Sequence, residues 1–60
     1  MSARILIVDD HPIVRQGLKL MINAEADLVI AGEAQSEQEA RDMVRELKPD
    51  AVIVDLTLGD

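Results

Sequence analysis

Three short apolar runs, at residues 5–8, 28–31 and 51–54, recur along the chain at similar intervals. Each run consists of Ile, Leu, Val or Ala and shows no alternation with polar residues. Continuous apolar runs of this length are typical of strands that are covered on both faces, as in a parallel sheet. We therefore expect three strands, over about residues 4–8, 28–32 and 51–55.

The segment after the first run has the pattern of an amphipathic helix over residues 12–23. Pro12 suits the first helical position, where a backbone N–H has no intrahelical partner. The apolar face is broad, and we expect Met21 to lie in the core. Gly17 lowers helix propensity by roughly 1 kcal/mol relative to Ala, so we expect it to allow close contact between helix and sheet. The polar positions of the segment are Arg15, Gln16, Lys19 and Asn23.

A second helix is predicted over residues 37–47. Ser36 and Glu39 have the spacing of a capping box, which marks a helix start. Glu37 and Arg41 form a favourable i,i+4 pair. The apolar positions follow at i, i+3, i+4 and i+7 and form a single stripe of Ala40, Met43, Val44 and Leu47. The element order is therefore βαβαβ, an α/β unit.

Composition narrows the function classes. The 60 residues contain no cysteine and no aromatic residue, which excludes disulfides, zinc–thiolate sites and thiol catalysis. The formal net charge is −6, and it opposes direct binding of a nucleic-acid backbone. No apolar run approaches the length of a membrane span, and the start lacks the apolar stretch of a signal peptide. We expect a soluble, cytoplasmic chain.

The candidate chemistry lies in three aspartates at predicted strand ends. Asp9 and Asp10 follow the first apolar run, and Asp55 follows the third. Strands of one parallel sheet present their carboxyl ends at the same edge, where open α/β sheets bind ligands. Clustered carboxylates repel one another unless a cation lies among them, and their hard oxygens suit Mg²⁺. The alternative is that these aspartates are ordinary turn and helix-capping residues.

His11 is open to two interpretations. An imidazole beside acidic residues can act as a metal ligand or a general base. The chain contains one histidine, so no second imidazole is available to complete a metal-binding set. We therefore expect His11 to be an exposed, polar helix-entry residue beside Pro12.

Together these motifs give a family resemblance. Residues 5–18, from the first strand into the first helix, resemble the opening of a response-regulator receiver domain. The sequence at His11, Pro12 and residues 15–18 is similar to that of the subfamily that carries a LuxR-type helix-turn-helix effector. Residues 32–34, 47–50 and 54–56 continue the resemblance, which covers nearly the whole chain.

The resemblance implies a fold and a role for individual residues. The fold would be the first half of a flavodoxin-like doubly wound sheet, with strand order 2-1-3 and one helix on each face. Asp55 matches the aspartate that accepts a phosphoryl group from a sensor histidine kinase. Asp10 matches the direct Mg²⁺ ligand and Asp9 the acid that acts through water, while the backbone carbonyl of Thr57 matches a further ligand. The family role is phosphorelay control of transcription.

Departures from the family pattern suggest an alternative. A proline is usual where Gly59 stands, and the chain supplies three of a receiver's five strands, so the Ser/Thr and Lys of the fourth and fifth are outside it. The third strand would then be an open edge at Ala51–Val54, which we expect to pair in a homodimer. The chain could thus be a truncated phosphoacceptor module or a non-catalytic, self-assembling half-fold. Nucleotide binding of Rossmann type is disfavoured, because no glycine-rich turn follows the first strand.

Overall fold

The structure is a computed structural model that describes residues 2–55. Strands and helices alternate from the start of the described chain to its end. The five elements are β1 (Ala3–Val8), α1 (Pro12–Asn23), β2 (Leu28–Ala34), α2 (Glu37–Leu47) and β3 (Ala51–Val54).

The three strands form one parallel sheet in the order β2-β1-β3. β1 lies in the centre, with β2 along one edge and β3 along the other. This position suits its residues 5–8, which are apolar and therefore favour burial on both faces of the sheet. The register places Val8 of β1 beside Val54 of β3. This arrangement confirms the predicted half of a flavodoxin-like α/β fold with order 2-1-3.

The sheet has a separate apolar cluster on each face. On the α1 side, Ile5 and Ile7 of β1 are buried with Ile22 of α1. On the α2 side, Leu6 and Val8 are buried with Ala34, and Met43 of α2 packs against them. Alternation along β1 therefore supplies both clusters, and one helix covers each face.

β2 continues to Ala34, two residues beyond the predicted end at Gly32. The register shifts by one residue within the β1–β2 pair: Ile5 lies beside Ile30, but Leu6 lies beside Gly32. The extra residue, Ala31, is a bulge. Because side chains alternate between faces, this bulge exchanges the faces of all later β2 residues.

The expected core face of α1 was partly wrong. Leu18 and Ile22 contact the sheet, whereas Met21 is 70% exposed and Ile13 is 86% exposed. The residues that contact the sheet follow one stripe of the helix, and Met21 and Ile13 lie outside it. Gly17 was also interpreted wrongly, since among residues 2–55 no atom other than its chain neighbours and the helix backbone lies within 4 Å of the position a Cβ would take there.

α2 is held at both ends. At its start the Ser36 hydroxyl accepts a hydrogen bond from the Glu39 N–H at 3.2 Å, as the predicted capping box requires. At its end Lys48 takes a left-handed conformation with φ 48°. The Arg4 guanidinium of β1 donates to the carbonyls of Leu47 and Lys48. The start of β1 is thereby tied to the helix end.

Within residues 2–55, neither helix has the length and apolar character needed to cross a membrane.

Candidate functional site

The carboxyl ends of β1 and β3 bring the three predicted aspartates together. The Asp55 N–H donates to the Val8 carbonyl at 3.0 Å, which continues the β1–β3 ladder past the end of the strand. Oxygens of Asp9, Asp10 and Asp55 and a ring nitrogen of His11 all lie within 4.8 Å of one another. The parallel pairing therefore produces the acidic cluster that the strand ends predicted.

Asp9 is the most constrained member of the cluster. Its side chain is 0% exposed, and its N–H donates to the Ala34 carbonyl of β2 at 2.9 Å. One carboxylate oxygen, Oδ1, accepts a hydrogen bond from the His11 N–H at 2.7 Å. The other, Oδ2, is buried and has no hydrogen-bond partner among residues 2–55. A buried carboxylate oxygen without a partner costs free energy, which a bound cation would offset.

The other two aspartates are more accessible. The Asp10 side chain is exposed, while that of Asp55 is largely buried but still reaches solvent. The cluster thus grades from the buried Asp9 to the exposed Asp10, with Asp55 between them.

His11 lies at the centre of the acidic cluster. Its Nδ1 is 2.8 Å from Asp10 Oδ1, 3.3 Å from Asp9 Oδ1 and 3.3 Å from Asp55 Oδ2. The Asp10 carboxylate, followed by the hydrogen bond to Asp9, raises the pKa of His11 above its ordinary value of 6.5. The ring is exposed, as expected for a helix-entry residue, but its contact with all three acids was not anticipated. Only adjacency to Asp9 and Asp10 could have indicated it.

The donor set fits a hard divalent cation. Three carboxylates from two strand ends converge, and one of them presents a buried oxygen that lacks a hydrogen-bond partner. Mg²⁺ is bound through carboxylate oxygens and water, which matches this set. Asp9, Asp10 and Asp55 would hold the ion. Thr57, whose carbonyl was the fourth expected ligand, and Gly59 lie outside the described residues.

Three further residues near the cluster, Arg15, Lys19 and Glu33, were not assigned a role from the sequence. Arg15 of α1 donates from Nη1 to the Asp9 carbonyl at 3.1 Å, and its Nε lies 3.2 Å from Glu33 Oε1 of β2. Lys19 reaches the other Glu33 oxygen at 3.2 Å. The sequence signal that could have identified Glu33 is its charge, because it directly follows the apolar residues 28–32 of the second strand.

A parallel α/β sheet with an acidic cluster at its carboxyl edge is the architecture of a phosphoacceptor receiver. The response regulator receiver domain model matches residues 5–60. The chain is 38% identical over 60 residues to the response regulator protein VraR of Staphylococcus aureus (strain NCTC 8325 / PS 47). It is 37% identical over 60 residues to the VraR protein of Staphylococcus saprophyticus. Each match covers 100% of this chain and 29% of the relative.

The chain belongs to the response regulator receiver domain family. It spans 29% of the length of the curated relatives it matches. Receiver domains of this family serve as phosphoacceptors in phosphorelay signalling.

Proposed function

We propose that Asp55 is the phosphoacceptor of this chain and that Asp9, Asp10 and Asp55 bind the Mg²⁺ ion that its phosphorylation requires. The convergence of these three carboxylates, with one oxygen of Asp9 buried and lacking a hydrogen-bond partner, carries the proposal. In the cluster, Asp55 combines access to solvent with a backbone fixed by a ladder hydrogen bond. A nucleophile needs both properties.

The proposed step is a phosphoryl transfer to a carboxylate. An oxygen of Asp55 attacks phosphorus, and the bond from phosphorus to the donor breaks. The donor atom is the imidazole nitrogen of a phosphohistidine or the acetate oxygen of acetyl phosphate. The products are an acyl phosphate on Asp55 and free imidazole or acetate. Mg²⁺ bound at the site would offset charge on the transferring oxygens. The Thr57 carbonyl is proposed as a further ligand.

The wider role is also a proposal. A sensor histidine kinase is the expected phosphodonor, and control of transcription through a LuxR-type effector is the expected output. Both rest on membership of the receiver family and on the sequence around His11 and residues 15–18. They are proposals because the chain covers 29% of the length of its relatives. A cytoplasmic location follows from the same proposal.

Intact-mass spectrometry after incubation with acetyl phosphate tests the site. We expect addition of one phosphoryl group in Mg²⁺, none in excess chelator, and none in Asp55→Asn. Asp10→Asn retains the acceptor but removes a metal ligand, so its labelling in Mg²⁺ should be slower than that of the parent chain. The reaction should be slow in the 60-residue chain, which does not contain the Ser/Thr and Lys of a receiver's fourth and fifth strands. Removing one group that stabilises charge on the transferring oxygens commonly lowers the rate by a factor of about 100. Labelling of Asp55→Asn at the same rate would refute the assignment.

A second proposal concerns self-association through β3. Within residues 2–55, β3 pairs with β1 alone, and Val52 and Val54 are 42% and 51% exposed. An apolar edge strand is a template for pairing with another chain. A second copy would extend the sheet to the order 2-1-3-3-1-2, as a homodimer across Ala51–Val54. In this alternative the half-fold serves as a scaffold and the acidic cluster has no catalytic role.

Sedimentation equilibrium of charged variants tests the dimer. Val54→Lys places a charge at a position that is exposed in the single chain, so it should disrupt pairing more than folding. Ile53→Lys also removes a contact with the α1-side cluster and should abolish folding. Gln38→Lys, at an exposed position of α2, introduces the same charge away from the edge and should leave the mass unchanged. A concentration-independent monomer with cooperative unfolding would exclude the dimer.

A further inference from the structure

Glu33 reaches the α1 side of the sheet because of the bulge at Ala31. With an unbroken register Glu33 would lie beside Val8, whose side chain belongs to the α2-side cluster. The shift places Glu33 beside Ile7, which belongs to the α1-side cluster. The carboxylate therefore faces α1, where two cations of that helix meet it.

Arg15 uses different nitrogens for its two partners. Nε lies 3.2 Å from Glu33 Oε1, and Nη1 donates to the backbone carbonyl of Asp9 at 3.1 Å. Its side chain is 16% exposed, so this contact is held away from most of the solvent. The guanidinium is planar, and its nitrogens have fixed relative directions. Fixing Nε on Glu33 therefore also fixes the direction of Nη1.

The backbone of Asp9 is where this chain of contacts ends. The residue is held on one side by the Ala34 carbonyl of β2 and on the other by Arg15. Its carboxylate in turn accepts the His11 N–H, which closes the turn that leads through Asp10 into α1. A rotation of the peptide between Asp9 and Asp10 would displace the carboxylates of both residues.

We propose that Arg15 is a positioning residue for the acidic cluster, which it orients by connecting Glu33 of β2 to the Asp9 carbonyl. The proposal extends the Mg²⁺ site of the proposed function. Residues that orient metal ligands from outside the coordination shell typically change metal affinity by about 10–100-fold when they are replaced.

Charge and geometry predict opposite results for Arg15→Gln. Removing a cation near a divalent-metal site should strengthen metal binding by Coulomb attraction alone. Losing the orientation of Asp9 should weaken it. Lys19 provides the matched control because it pairs with the same carboxylate from the next turn of α1. Lys19→Gln removes the same charge, and within residues 2–55 Lys19 forms its ion pair with Glu33 and none with Asp9.

The test is a Mn²⁺ titration in which electron paramagnetic resonance measures the unbound ion. It is run at a temperature where circular dichroism shows each variant to be folded. We expect Arg15→Gln to raise the dissociation constant by about tenfold and Lys19→Gln to leave it unchanged or lower it. Arg15→Lys retains the charge but not the two-sided contact, and should also weaken binding. Binding by Arg15→Gln that equals or exceeds that of the parent chain would overturn the proposal.

Amide hydrogen exchange of His11 without metal gives an independent readout, because its N–H bonds to Asp9 Oδ1. Protection should fall in Arg15→Gln and persist in Lys19→Gln. Weaker metal binding with unchanged protection would overturn the positioning role. If the parent chain binds no Mn²⁺, the proposed metal site is wrong, and the His11 comparison still decides whether Arg15 orients the turn.

Discussion

Replacing each of two glycines with alanine should have opposite effects on stability. Gly17 lies in α1, and in the described part of the chain an added Cβ would contact nothing beyond its chain neighbours and the helix backbone. Gly32 lies in β2, where a Cβ would be 2.8 Å from Leu47 Cδ1 and 3.5 Å from both Leu6 Cδ1 and Met43 Sδ. Neither glycine adopts a left-handed conformation, so space and helix propensity decide the outcome.

The expected magnitudes follow from these surroundings. Gly17→Ala should raise the free energy of unfolding by about 1 kcal/mol, the difference in helix propensity. Gly32→Ala forces Leu47 and its neighbours to move, and overpacking of this kind typically costs about 1–3 kcal/mol. Reduced freedom of the unfolded chain returns about 0.4–1 kcal/mol of this. The net effect is a destabilisation of roughly 0–2.6 kcal/mol.

Thermal and urea unfolding can be followed by far-ultraviolet circular dichroism, since the chain has no aromatic residue to serve as a fluorescent probe. In a domain of this size each kcal/mol shifts Tm by about 4–8 °C. The crowding should be relieved in a Leu47→Ala background, where Gly32→Ala should cost less than in the parent chain. If Gly17→Ala destabilises as much as Gly32→Ala, or if Leu47→Ala gives no relief, the assigned packing of α1 and α2 is wrong.

Two further measurements probe the ends of the sheet. Nuclear magnetic resonance titration should place the pKa of His11 above 6.5. Asp10→Asn should lower this pKa, because the Asp10 charge is the largest cause of its rise. A pKa at or below 6.5 in the parent chain would contradict the contacts between His11 and the three aspartates. Because the folded-state pKa is raised, this stabilisation is fully present below the unfolded value of 6.5 and is lost as pH rises through the folded value. Arg4→Met should reduce stability by about 1–2 kcal/mol through loss of the hydrogen bonds to the Leu47 and Lys48 carbonyls, and Arg4→Lys should recover part of it; equal stability of Arg4→Met and the parent in urea would refute that role.

Local patterns in the sequence were sufficient for the element order and the location of the acidic cluster. The three apolar runs could be assigned to strands because each is four residues long, contains β-branched residues and is bounded by polar residues or Gly. Asp9, Asp10 and Asp55 could be placed together because parallel strands end at one edge. Each inference needs only the chain direction and the periodicity of the side chains.

Features that depend on contacts between elements could not be predicted in this way. The apolar residues of α1 are spread too widely for the sequence to show which stripe faces the sheet. Met21 was therefore placed in the core, although it is 70% exposed. Gly17 and Gly32 are chemically identical, and only the position of Leu47 makes one of them crowded.

The bulge at Ala31 is the clearest case of a decision made by the tertiary structure. The sequence predicts that the second strand ends at Gly32, and it does not reveal that the strand continues in a shifted register. Pairing with β1 sets the shift between Ile5 and Leu6, and a shift of one residue exchanges the two faces of a strand. Glu33 consequently faces α1 and pairs with Arg15. The aspartates converge because of their place along the chain, whereas Arg15 contacts both the Asp9 carbonyl and Glu33 in a structure where strand pairing has turned Glu33 toward the helix.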